Sequence, residues 1–124
     1  MRKLVLALAI ASSIGCKHPS SKLEGHWKGT RAEGVAPGAQ DAANAFATQT
    51  EITAKGTTLT ITTPGAKPQA ANFVIDSENP TTVIVHTDKD GPANKETFAF
   101  SDEGKTMVWR LGEGRTITFA KQKD

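Results

Sequence analysis

The chain has 124 residues, room for one domain, with a single cysteine, no tyrosine and a formal charge of +2. Lys and Arg number 15 against 13 Asp and Glu; Arg2 and Lys3 stand at the extreme N-terminus, so the rest is balanced at 13 of each. That neutrality excludes the basic stripe by which a nucleic-acid binder displaces counterions. One cysteine excludes both an internal disulfide and a cysteine-cluster metal site.

Residues 1–15 read as an export signal: basic Arg2 and Lys3, an apolar run from Leu4 to Ala11, then small residues up to Gly15. The apolar run is too short to cross a bilayer as a helix, which takes about 20 residues. Ser13-Ile14-Gly15-Cys16 resembles the bacterial lipobox, with Ser13 where a leucine is usual. The resemblance implies cleavage before Cys16, a diacylglyceryl thioether on its sulfur and an acylated amine, and several acyl chains anchor firmly where one is marginal. Lys17 follows the cysteine in place of the aspartate that retains envelope lipoproteins at the inner membrane, which points to the outer membrane, facing the periplasm. Residues 16–22 are then the lipidated cysteine and a polar tether, in which His18 is a solvated residue. The domain proper is 23–124.

The first strand is expected over Glu24–Arg31, where period-2 alternation puts Leu23, Gly25, Trp27 and Gly29 on one face. The two glycines remove bulk on either side of the indole, so that the ring can lie across the floor of a narrow barrel. Residues 32–45 form a long connection. Within it, 39–46 suits one or two helical turns with Ala42, Ala43 and Phe46 on one side, either a lid or a mobile loop. Strands follow at Ala47–Thr53, Thr57–Thr63, Ala70–Ile75, Thr81–Thr87, Lys95–Phe100, Thr106–Arg110 and Arg115–Ala120, punctuated by Lys55-Gly56, Pro64-Gly65, Asn79-Pro80, Asp88–Pro92, Asp102–Gly104 and Gly112–Gly114. Thr58, Leu59, Thr60, Ile61 and Thr62 alternate most cleanly. Val83, Ile84 and Val85 leave their inward face open.

Eight short strands joined mostly to nearest neighbours predict an all-β, eight-stranded antiparallel up-and-down barrel, because closure removes both sheet edges. The alternative is an open, curved sheet with 39–46 packed on one side. Closure sets the first strand against the last, with Trp27 near Phe119 and Lys121. With that pairing the chain resembles a small lipocalin-like domain of the calycin group, on Gly25 and Trp27 as its Gly-x-Trp motif. The resemblance implies a cation from the chain end over the indole. Lys121 is in register for it, where lipocalins use arginine, and Arg115 falls at the other end of its strand.

Inward candidates are Trp27, Leu59, Ile61, Phe73, Ile75, Val83, Val85, Phe98, Phe100, Met107, Trp109, Ile117 and Phe119. So many large groups in strands of six or seven residues leave two outcomes, a filled barrel or an apolar cavity holding one small ligand. Arg31, Phe46 and Trp109 are the candidate ligand mouth. The three histidines lie far apart, His26 facing outward and His86 ending a strand, and their spacing suggests no metal site or cofactor. Asp88 with Asp90 and Asp102 with Glu103 read as solvated turn residues. No nucleophile elbow, phosphate loop or His-Glu-x-x-His stretch occurs, so the chain reads as non-enzymatic. Two functions remain open: a membrane-anchored binder of a small apolar ligand, or an interaction or inhibitory module with a solid barrel that contacts another envelope protein.

Overall fold

A computed structural model describes residues 22–123. The proposed signal segment, Cys16 and the tether up to Ser21 lie outside the described residues. Eight strands close into one antiparallel barrel in sequence order: β1 (Gly25–Glu33), β2 (Glu51–Lys55), β3 (Thr58–Thr62), β4 (Gln69–Glu78), β5 (Thr82–Thr87), β6 (Glu96–Ser101), β7 (Thr106–Gly112) and β8 (Arg115–Lys121). Every connection joins neighbouring strands; the first is long, making a 3-10 turn at Pro37–Ala39 and then helix α1 (Gln40–Thr48).

Closure is made by β1 and β8, with Trp27 opposite Lys121, Gly29 opposite Phe119 and Ala32 opposite Ile117. Alternation then builds the core. Trp27, Ile52, Val83, Val85, Phe98, Met107 and Phe119 are 0% exposed, while Leu59 and Ile117 are nearly so. In the stretch of ambiguous facing, Val83 and Val85 point inward and Ile84 does not. Ile61, Ile75 and Trp109 pack against this core but are only partly buried.

Several features depart from a strict alternating reading. Residues 47–50 belong to the end of α1 and its exit, so β2 begins at Glu51 rather than Ala47. The alanines of 42–47 favour helix, and Thr50 ends it by donating its hydroxyl to the Phe46 carbonyl at 2.8 Å. In β4, a register shift between Ile75 and Ser77 keeps Ser77 and Glu78 paired with Ile84 and Val83, so the strand outlasts Ile75. In β1, a shift between Gly29 and Arg31 reverses the alternation, making Ala32 the next buried residue after Gly29 and turning Arg31 outward.

The glycines beside Trp27 make room for other groups. Gly25 has φ +131°, and a Cβ there would come 2.8 Å from Lys121 Cε. A Cβ on Gly29 would overlap the Ala47 carbonyl oxygen. One glycine therefore admits the cation that covers the indole, and the other lets the helix exit approach the strand.

Candidate functional site

The first and last described residues meet at one end of the barrel. Leu23 is fully buried there, and its carbonyl accepts the Trp27 indole N–H at 2.9 Å. Lys121 Nζ stands 5.6 Å from the indole centroid, on the side opened by Gly25. Phe100 packs against the ring with centroids 5.8 Å apart. Leu23, Trp27, Phe100 and Lys121 together seal this end.

The opposite end is covered by α1. Strand β2 pairs with β1 only over Gly25–Lys28, so the upper part of β1 would present a bare edge on that side. Helix side chains take the place of a neighbouring strand. Asn44 Oδ1 accepts the Ala32 N–H at 3.0 Å, and Gln40 Nε2 donates to the Ala32 carbonyl at 2.7 Å and to Asn44 Oδ1 at 3.0 Å. Below them the Gly29 N–H donates to the Thr50 carbonyl at 2.9 Å. Gln40 and Asn44 are four residues apart, one above the other on a helix face, which is the spacing a two-point clamp on a single residue requires.

Between α1 and the β7–β8 hairpin lies an open groove of about 200 Å³, walled by Ala32, Val35, Ala43, Phe46, Leu111 and Ile117, with Glu33 and Arg115 at its rim. Phe46 is 45% and Leu111 38% exposed. They are two of the three large apolar side chains exposed among the described residues; the third, Val74, is not among the groove's walls.

The candidate mouth residues are dispersed. Phe46 walls the groove. Arg31 faces solvent and pairs with Glu33 at 3.4 Å, because the β1 shift turns it outward. Trp109 is not in the groove wall; it stacks on Phe98 at 6.1 Å and donates its indole N–H to Glu96 Oε1 at 2.8 Å. Arg115, whose guanidinium lies 3.3 Å from Glu113, is the arginine at the groove. Leu111 and Val35 were not among the sequence candidates: Leu111 is the extra residue at a register shift between Arg110 and Gly112 in β7, and Val35 lies in the connection after β1.

The centre of the barrel is occupied by side chains. Trp27, Val83, Val85, Phe98, Met107 and Phe119 are fully buried against one another and their neighbours, so the middle of the barrel is packed, while Leu59 and Ile61 border a shallow opening of about 230 Å³ at the β3–β4 side.

On the outer wall, His26 Nε2 meets Glu51 Oε1 at 2.6 Å across β1 and β2. His86 Nδ1 lies 2.8 Å and Lys95 Nζ 3.2 Å from Asp76 Oδ2. The His86 hydrogen bond, aided by Lys95 and opposed by partial burial, holds the Asp76 carboxyl below its ordinary value. An imidazole oriented by a carboxylate is half of a nucleophile-activating pair. Among the described residues no serine, threonine or cysteine side chain is hydrogen-bonded to His86, and no three acidic, histidine or cysteine residues are grouped to hold a metal.

No family model, no curated protein and no solved structure matches this chain.

Proposed function

We propose that this is a non-enzymatic bacterial envelope protein, lipid-anchored through Cys16 and lipocalin-like in descent, whose solid barrel serves as a scaffold for binding another envelope protein. The sequence supports the address: an export signal ending in a lipobox-like Ser13–Cys16 and a polar tether. The observation that carries the binding face is the gathering of Phe46 and Leu111 at one groove above a filled core. Its volume of about 200 Å³ is suited to one or two side chains of a partner. It falls below the ~300 Å³ at which ordinary small-molecule pockets begin.

The second reading, a small apolar ligand, rests on the same apolar walls. A photo-crosslinking residue at Phe46, expressed in the native host, is expected to capture a defined partner that the same residue at Val74 does not. Equal capture at both positions would remove the groove from consideration. Native mass spectrometry of the purified protein separates the two readings, since a co-purifying small molecule favours the second.

A further inference from the structure

We infer that a second groove, at the end of the barrel where the described chain begins, shelters part of one acyl chain of the protein's own anchor when it is away from a bilayer. The inference rests on the anchoring of Cys16 proposed above. The groove holds about 340 Å³, at the lower end of ordinary ligand sites, and its walls are mostly apolar atoms. Phe100 forms its floor against Trp27, Pro80, Thr81 and Gly104 its sides, and Lys22 and Glu103 its rim. Lys22 is tied across this end to Glu78 at 3.4 Å.

The covalent distance from Cys16 to the rim identifies the occupant. Lys22, six residues after Cys16, stands at the rim. The five residues between Cys16 and Lys22 are Lys17, His18, Pro19, Ser20 and Ser21, of which only Pro19 is apolar. They offer little to an apolar wall. Six residue steps reach at most about 20 Å, so the lipid on Cys16 is held within reach of the groove. An acyl chain in water gains free energy with every methylene it buries. The groove takes part of one chain, not the whole anchor. A bilayer, which accepts all of every chain, therefore displaces it.

The test uses the full chain as Cys16→Ser, without its lipid, isotope-labelled and titrated with decanoate below the concentration at which it forms micelles. Saturable amide shifts are expected at Thr81, Phe100 and Gly104, and not at Phe46 or Leu111. They are expected to vanish in Thr81→Trp, which fills the groove, while the spectrum elsewhere shows the barrel intact. Should Thr81→Trp fail to fold, Thr81→Gln is expected to weaken the shifts in graded fashion. The acylated protein in detergent-free buffer should show the same amides displaced relative to Cys16→Ser, and phosphatidylglycerol vesicles should reverse that displacement. Shifts confined to the helix-end groove, or none, would overturn the inference. An intact mass without acyl groups would instead sink the anchor reading, whatever decanoate does.

Discussion

The two ends of this barrel are closed by different physics. At the chain end, Leu23, Trp27, Phe100 and Lys121 come from strands or from the residues leading into them, and three of the four are apolar groups that alternation directs inward. At the helix end, closure depends on α1, a nine-residue helix fastened to β1 by two side-chain amides and a close backbone approach at Gly29. One end is a continuation of the core; the other is a part laid on it. A short helix has little stability of its own. The helix end is therefore where local opening is easiest, and it also carries the exposed Phe46.

The strongest test of this contrast is Trp27→Ala. It should cost about 3–5 kcal/mol and unfold the barrel as a unit in a denaturant melt. A loss confined to one end would break the comparison. Gly29→Ala pushes a methyl into the Ala47 carbonyl and is expected to cost about 1–3 kcal/mol. Hydrogen exchange should localise that loss to α1 and upper β1, leaving β3–β6 protected. Asn44→Ala strands the Ala32 N–H and should cost about 1–2 kcal/mol, with faster exchange of that single amide as its signature. Lys121→Met removes the cation beside the indole and is expected to cost about 0.5–1 kcal/mol, together with a change in Trp27 emission.

The smallest expected effect belongs to the wall between the ends. Asp76 has its folded value depressed below 3.8, so its contribution is fully present above that pH and is lost as pH falls through the lower folded value. In Asp76→Asn, acid melts below pH 4 should be flatter than those of the parent protein. An identical acid limb in both would mean the His86 and Lys95 contacts do not act on stability.

Much of the barrel was legible because strand alternation is a local property. Leu59 and Ile61, Phe98 and Phe100, and Ile117 and Phe119 each repeat every second residue between turn signals, and all but the partly buried Ile61 are buried where that phase puts them. Closure was legible from strand count. The site was less so. Arg31 faces solvent because one extra residue in β1 reverses the phase, and no feature of Thr30 or Arg31 announces that shift. Leu111 is placed by a second such shift, between Arg110 and Gly112, and Val35 lies in the connection after β1, where neither period applies.

By itself the sequence determined the class of fold, the order and punctuation of its strands, the face that Trp27 presents and the pairing of its strand with the last, because each follows from side chains alternating along a backbone and from the advantage of leaving no edge open. Only the tertiary structure decided that residues 47–50 finish a helix rather than start a strand, that Gly25 and Gly29 make way for Lys121 and Ala47, and that Gln40 and Asn44 stand in for a missing strand. Those outcomes turn on groups distant along the chain competing for the same space and the same backbone hydrogen bonds, a contest that no local period records.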